Sequence, residues 1–370
     1  MLIGIDASRA VKEKRTGTEG YALHLIRSLI SLTELQNYRL RLYFNQPPAD
    51  GLIPNLPHVE QCVIPFARLW THVRLANELR RRTPDVFFTP AHVIPFSYRG
   101  ISVATVHDLG YHYFPAAHTR RQLTYLKLST RSNGRISRRI IADSEATKAD
   151  LIKFYNLDSR KIEVIYPGID PQLKPVTGAN RLEAMRQKYN IAAPYLLYIG
   201  TLQPRKNLLR LIQAYAATGL PHELVLAGSQ GWRSRPMLDA INRLDPSTRR
   251  RVHLTGYVDD GDKAALISGA TALLYPSLYE GFGFPLLEGQ ACGTPVMAAN
   301  TSSLPEIAGG AALLVDPEDS GALAESIKQI VENNDLRLML RNNGTVNVKR
   351  FTWEKTAAQV LQTLEDATVN

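Results

Sequence analysis

Short runs of consecutive apolar residues recur along almost the whole chain, separated by longer stretches in which apolar positions return at helical spacing. In the first half the runs Leu2–Ala7, Arg39–Phe44, Gln61–Pro65, Asp85–Pro90, Ser102–His107, Arg139–Asp143 and Glu163–Tyr166 read as strands. In the second half Tyr195–Gly200, Glu223–Gly228, Val252–Tyr257, Ala272–Pro276, Pro295–Ala299 and Ala312–Val315 read the same way. Their Val, Ile and Leu stretches are continuous rather than alternating, as expected for strands covered on both faces of a parallel sheet. The stretches Tyr21–Leu32, Arg68–Arg82, Leu208–Ala217, Lys263–Gly269 and Pro285–Ala291 read as helices connecting them. Strand, helix, strand in repetition predicts α/β domains with crossover helices.

The stretch Pro167-Gly168-Ile169-Asp170-Pro171, continuing past Lys174-Pro175, breaks the pattern and reads as a linker. The expectation is therefore two Rossmann-like, doubly wound domains, 1–170 and 171–350, facing each other across a cleft. The last segment, 351–370, is expected to be a helix that crosses back to the N-terminal domain. Sheets of this kind bind ligands beyond the carboxyl ends of their strands, where the strand order reverses, so chemistry is sought in the loops that follow strands.

A length of 370 residues suits two domains rather than one core. The 44% hydrophobic and 21% charged content is ordinary for a soluble globular protein. No stretch approaches the ~20 apolar residues of a membrane span. Met1–Ala10 lacks the pattern of a secretory signal. Two cysteines, Cys62 and Cys292, supply neither a disulfide framework nor a metal cluster, which fits a reducing cytoplasm. The net charge of +10 is more informative once divided. Residues 1–170 hold 24 Lys/Arg against 15 Asp/Glu, whereas residues 171–370 hold 20 against 19. Runs such as Arg80-Arg81-Arg82 and Arg131, Arg135, Arg138, Arg139 carry the excess. Such asymmetry points to an anionic partner, a membrane face, a lipid phosphate or a nucleic acid. The alternative is a scatter of solvated arginines.

Two post-strand loops stand out chemically. The first is Glu280-Gly281-Phe282-Gly283-Phe284-Pro285-Leu286-Leu287-Glu288. Gly281 and Gly283 allow close backbone approach, Pro285 suits a helix start, and the helix N–H groups suit phosphate. Glu288 is expected in the first turn on the ligand side. Two carboxylates beside a phosphate site make sense as acceptors for sugar hydroxyls. Alternatively Glu280 caps the helix electrostatically and Glu288 is a solvated surface residue. The second loop is Gly200-Thr201-Leu202-Gln203-Pro204-Arg205-Lys206-Asn207. Arg205 and Lys206 entering a helix oppose its dipole, a conflict that a bound diphosphate relieves. An ordinary charged helix start is the other reading.

With these residues in hand, the chain resembles the retaining GT-B-fold glycosyltransferases called group 1 or glycogen-synthase-like, whose hallmark is two glutamates separated by seven residues. The resemblance covers nearly the whole chain. Besides Glu280 and Glu288 it rests on Gly200–Asn207, Val106-His107-Asp108, Cys292-Gly293-Thr294-Pro295-Val296, Leu304-Pro305-Glu306 and Phe351-Thr352-Trp353-Glu354. It implies an acceptor-binding N-terminal domain and a nucleotide-sugar-binding C-terminal domain. Glu280 would hold hydroxyls of the donor hexose and Glu288 the ribose hydroxyls. Arg205 and Lys206 would clamp the diphosphate, and His107 would lie near the sugar and leaving-group oxygen. Gly17, Thr18 and Gly20, in the first post-strand loop, would approach the diphosphate or acceptor. Tyr257 and Val258 would flank the base, and Ser303 and Leu304 would approach the sugar. Gly200, Thr201, Gly281, Phe282 and Gly283 complete the donor set. Thr201 stands where many relatives carry a second phosphate-binding arginine. The loop Arg15-Thr16-Gly17-Thr18-Glu19-Gly20 is less glycine-rich than usual.

The reaction this implies moves a hexose from a nucleoside diphosphate to a hydroxyl of a glycan or lipid-linked acceptor, with retained configuration. No carboxylate cluster for Mg²⁺ is evident, so the cations are expected to stabilise the leaving group without metal, and no cofactor is expected. The wording of the Gly200 loop and of Val-His-Asp-Leu is similar to mannosyltransferases of surface-polysaccharide assembly. GDP-mannose is therefore the favoured donor over UDP-hexoses or a dTDP-deoxysugar. Rival readings are a sugar-nucleotide 2-epimerase of the same fold, a dinucleotide dehydrogenase and a basic nucleic-acid-binding protein. The dehydrogenase lacks its G-x-G-x-x-G turn, and the nucleic-acid reading lacks interleaved aromatics or a module pattern. The expected setting is cytoplasmic, with peripheral attachment to an anionic membrane. Arg68–Arg82 is a candidate contact, although its apolar positions read first as core.

Overall fold

The computed structural model describes residues 1–12, 17–34, 36–66, 68–91, 93–192 and 194–369. The chain divides into two compact units, one comprising Met1–Gly168 and Phe351–Asn370, the other Ile169–Arg350.

The first unit is built on a parallel sheet of seven strands: β1 (Leu2–Asp6), β2 (Arg39–Phe44), β3 (Val59–Val63), β4 (Val86–Thr89), β5 (Ser102–Val106), β6 (Arg139–Ala142) and β7 (Ile162–Val164). Their spatial order is β3-β2-β1-β4-β5-β6-β7. The order reverses between β1 and β4, which pair in parallel with Ile3 opposite Val86. The central strands are mostly apolar because both faces are covered, and Ile3, Ile5, Leu42, Phe87 and Phe88 are fully buried, whereas the edge strands β3 and β7 carry Glu60, Gln61 and Glu163. The helix Gly17–Glu34 turns Leu25, Ile26, Leu29 and Ile30 onto the sheet. Burying each such side chain contributes roughly 1.5–3 kcal/mol.

The helix Trp353–Val369 belongs to the same unit. It puts Trp353, Ala357, Val360, Leu361 and Leu364 into the core of Ile3 and Leu25. Trp353 stacks on His24, with ring centroids 5.4 Å apart, and Thr356 Oγ1 donates to the Tyr166 carbonyl at 2.8 Å. Gly168 passes so near that a Cβ there would lie 2.4 Å from the Trp353 nitrogen.

The second unit holds six parallel strands: β8 (Tyr195–Ile199), β9 (Glu223–Ala227), β10 (Val252–Gly256), β11 (Ala272–Tyr275), β12 (Val296–Ala299) and β13 (Leu313–Val315). The order is β10-β9-β8-β11-β12-β13, reversing between β8 and β11. Each strand lies within the span its apolar run predicts, except β3, which begins two residues earlier at Val59, and β7, which begins one residue earlier at Ile162. No helix among the described residues is long and apolar enough to cross a membrane.

Three expectations need correction. Gly17, Thr18 and Gly20 are not in a loop but in the first turns of the helix Gly17–Glu34; Arg15 and Thr16 lie outside the described residues. Arg68–Arg82 is not one helix with its apolar side inward. A wide turn, Thr71–Leu75, precedes a short helix, Ala76–Arg81. Trp70, Leu75 and Leu79 are buried, but Leu69 and Val73 are exposed. Glu288 is the fifth residue of the helix Phe284–Ala291, one residue beyond the expected first turn. Gly283 caps that helix with φ at 114°, a conformation costly to a side chain, and moves its start to Phe284.

Candidate active site

Adjacent β8 and β11 send their following loops to the same end of the second sheet, at the reversal of strand order where doubly wound sheets bind ligands. The β8 loop begins at Gly200, whose φ of 143° redirects the chain. It then makes a tight turn, Pro204–Lys206, with Asn207 in a left-handed conformation before the helix Leu208–Thr218. That turn presents Arg205 and Lys206 together. From the β11 loop, Glu280 meets both: Lys206 Nζ is 2.5 Å from Oε1, and Arg205 Nη1 is 2.9 Å from Oε2. Arg205 also donates to the Tyr279 carbonyl at 2.5 Å, and Lys206 to the Tyr275 hydroxyl at 3.0 Å.

These groups are largely out of water, with side-chain exposures of 9% for Glu280, 10% for Lys206 and 18% for Arg205. Burial on its own would raise the Glu280 pKa. The charges of Arg205 and Lys206, with the Lys206 hydrogen bond, outweigh it and hold the carboxyl at about 2. The cluster is thus a carboxylate with two cations and a net positive charge. It sits at the topological position where a phosphate-bearing ligand is expected.

The loop carrying Glu280 is braced from the third side by the segment after β12. Ser302 Oγ accepts from the Glu280 N–H at 2.9 Å. Ser303 Oγ donates to the carbonyls of Glu280 and Phe282 at 2.9 and 2.7 Å. Ser303 and Leu304 are fully buried, so their side chains shape the loop. Thr201 is exposed, and its carbonyl accepts from the buried Tyr198 hydroxyl at 3.2 Å. Gly281, Phe282 and Gly283 are buried in the β11 loop.

Glu288 is neither a solvated surface group nor alone. Its Oε1 lies 2.6 Å from Lys263 Nζ, with side-chain exposures of 11% and 28%. Burial pulls the Lys263 pKa down, and the Glu288 charge more than restores it, so the net shift is upward. After β10, Val258 is buried while Tyr257 is 42% exposed, its hydroxyl donating to Asp260 at 3.2 Å. Lys263, Ser302, Tyr275 and the Tyr279 carbonyl were not legible as site elements in the sequence.

In the first unit, His107 follows β5, one strand from the order reversal. Its Nδ1 lies 2.6 Å from Asp143 Oδ2, and its Nε2 lies 2.8 Å from the Pro90 carbonyl. With Asp143 ionised, both ring nitrogens face acceptors, which favours the imidazolium. Burial lowers the His107 pKa, but the Asp143 charge and hydrogen bond outweigh it and raise the value. The ring also packs edge-on to Tyr21, centroids 4.7 Å apart. Gly17 and Thr18 stand at the start of the helix that carries Tyr21. Cys292 is buried and its thiol is pushed up to about 12 by that burial, which suits an inert packing residue. Among the described residues no group of three or more His, Cys, Asp or Glu side chains could hold a metal ion.

Comparison with known proteins bears on the family and the fold. The model of the glycosyl transferases group 1 family matches residues 182–347, and that of glycosyltransferase family 4 matches residues 16–173. The O-antigen chain mannosyltransferase B of Escherichia coli is 29% identical over 96% of this chain and 98% of its own length. Sucrose-phosphate synthase from Thermosynechococcus elongatus superposes with a TM-score of 0.77 at 21% identity, covering 99% of this chain and 98% of that one. The Anabaena protein HepE, solved with UDP and glucose, gives 0.75 at 21% identity over 99% of each chain. Two parallel-sheet α/β units, each matched by its own family model, and relatives aligned end to end identify the chain as a GT-B-fold glycosyltransferase of the group 1 family.

Proposed function

We propose that this glycosyltransferase moves mannose from GDP-mannose to a hydroxyl of a glycan or lipid-linked acceptor in surface-polysaccharide assembly, with retention of anomeric configuration. The observation that carries the donor site is the buried cluster of Arg205, Lys206 and Glu280 at the strand-order reversal. Arg205 and Lys206 bind the diphosphate and, as it leaves, stabilise its growing charge from fixed positions. Each such donor is typically worth ~3–4 kcal/mol in the transition state. Glu280 accepts from hydroxyls of the hexose, and its very low pKa keeps it an acceptor throughout. Glu288, aimed by Lys263, accepts from the ribose hydroxyls.

Gly200, Thr201, Gly281, Phe282 and Gly283 offer backbone to the phosphates and sugar. Ser303 and Leu304 hold the loop against the sugar, and Tyr257 and Val258 flank the base. In the N-terminal unit His107 serves the sugar and leaving-group oxygen. With both nitrogens occupied by Asp143 and Pro90, it acts as a fixed positive edge rather than a mobile base. Gly17 and Thr18 offer N–H groups from a helix start. The same cations stand in for a metal, so chelators leave turnover intact. The mannose assignment is supported by the Escherichia coli relative, a mannosyltransferase by name and aligned over nearly its full length. The protein works in the cytoplasm at an anionic membrane face.

A calorimetric panel of GDP, UDP, TDP and ADP, repeated with a strong chelator, tests the donor. GDP is expected to bind tightest, with the chelator changing nothing. Preference for UDP overturns the donor assignment, and chelator sensitivity overturns metal independence.

A further inference from the structure

Three stretches of the first unit contain no Asp or Glu at all: residues 61–77, 86–107 and 109–142. In the folded unit they meet at one place. His72, in the turn Thr71–Leu75, packs on Phe96 with ring centroids 4.2 Å apart. Its Nε2 lies 3.2 Å from the Tyr125 hydroxyl on the helix Arg120–Ile136. Arg74, from the same turn, lies over the Phe66 ring at 6.0 Å. Around this junction the large apolar side chains face water: Phe66, Leu69, Val73, Phe96, Tyr125 and Leu128 are 43–71% exposed. Leu69 is held outward on a left-handed backbone, φ 55°, which a leucine adopts only at a cost.

The helix Arg120–Ile136 is amphipathic in an unusual sense. At 100° per residue, Arg120, Lys127, Arg131 and Arg135 form one ridge, with Arg121 and Leu128 beside it. All six are exposed, while Ser129 and Asn133 on the opposite side are buried. Arg68, Arg74 and Arg99 are exposed on the neighbouring segments. Nothing acidic within these segments neutralises them, unlike Arg82, which pairs with Glu60 on β3. Cations flanking exposed aromatic and aliphatic groups, without interspersed acids, complement a bilayer surface bearing anionic headgroups.

We propose that this face of the N-terminal unit, centred on the helix Arg120–Ile136, Phe66 and the segment 68–74, docks the enzyme on an anionic lipid bilayer. The apolar groups enter the headgroup boundary and the cationic ridge lies along the phosphates. The proposal names the surface for the membrane setting given above, and it stands or falls apart from the transfer reaction. Each cation within a Debye length of the surface, about 8 Å at physiological salt, strengthens partitioning by roughly fivefold.

The test is vesicle sedimentation of the full chain and of the triple variant Arg121→Gln, Lys127→Gln, Arg131→Gln, all at exposed positions. Transfer to a short soluble acceptor is measured in parallel. The wild type is expected to pellet with phosphatidylglycerol vesicles at low salt, to stay free with phosphatidylcholine vesicles, and to be released by high salt. The triple variant is expected to partition about 100-fold more weakly while its soluble-acceptor turnover is unchanged. A second variant, Tyr125→Ser with Leu128→Ser, should weaken binding with the charge intact. Equal partitioning of wild type and triple variant overturns the proposal. Binding to a duplex oligonucleotide more tightly than to anionic vesicles, lost in the triple variant, also overturns it by assigning the face to nucleic acid. Failure of soluble-acceptor turnover in the wild type counts against the transferase assignment and not against the surface.

Discussion

Replacing Glu280 with Gln is the perturbation for which the structure gives the least intuitive answer: the variant should bind free nucleoside diphosphate more tightly while losing turnover. The carboxylate lies 2.5 Å from Lys206 and 2.9 Å from Arg205. A diphosphate held by the same two cations would have an oxygen within about 6 Å of that carboxylate. At an effective dielectric of about 20, two like charges at ~6 Å repel by ~3 kcal/mol. Removing one is therefore expected to tighten the diphosphate by roughly 30- to 100-fold.

The same change leaves two buried cations short of a counter-charge, which typically costs ~3–5 kcal/mol of stability. An independent figure comes from the carboxyl itself. Its pKa falls from 4.5 to about 2 on folding, and at ~1.4 kcal/mol per unit this is about 3 kcal/mol. Because the folded value is depressed, this stability is present above pH 4.5 and is lost as the pH falls through about 2. The unliganded variant should thus melt roughly 10 °C lower at neutral pH. It should lose stability less steeply than the wild type between pH 4.5 and 2, and regain more than the wild type on adding nucleoside diphosphate. Isothermal calorimetry and ligand-dependent melting check both. A folded variant that binds the diphosphate no better than the wild type would refute the reasoning, because the carboxylate and phosphate would not then share the cations.

Three further changes probe the remaining contacts. Lys206→Ala should lower turnover at least ~100-fold, in line with losing a preorganised donor, with far-UV circular dichroism unchanged. Lys263→Met should raise the donor KM more than it lowers kcat, because it releases Glu288 rather than touching the reacting atoms; an unchanged KM would remove the aiming role. Asp143→Asn should abolish the extra stability that protonated His107 contributes. The His107 pKa is raised on folding, so that stability is complete below its ordinary value of 6.5 and fades as pH rises through the folded value. The melting temperature of the wild type should therefore decline above pH 6.5 and that of the variant should not.

The strand framework was legible because strands buried on two faces need continuous apolar runs, and here those runs are short and bounded by turn residues, unlike the longer helical stretches. The pairing of Arg205 and Lys206 with Glu280 was not. More than seventy residues separate them, and their contact depends on β8 and β11 being neighbours in space, which chain order does not reveal. Lys263 was missed because Asp259, Asp260 and Asp262 surround it and make the segment read as a charged surface. Its partner is instead Glu288, brought close by the helices Asp260–Ser268 and Phe284–Ala291. The outward Leu69 and Val73 defeated the apolar pattern, which assigns hydrophobic positions to a core unless another surface covers them. The helix start at Gly17 was hidden because Gly17 and Gly20 read as a post-strand loop.

The proposed role of the cluster of Arg205, Lys206 and Glu280 is to bind a nucleoside diphosphate sugar for transfer. Time-resolved NMR of purified enzyme with GDP-mannose and a mannosylated acceptor tests it most directly, following the anomeric proton of donor and product with Lys206→Ala as control. Loss of donor and appearance of a product with the donor's anomeric configuration are expected, with neither event in the variant. Product of inverted configuration, or transfer proceeding equally in Lys206→Ala, would contradict it.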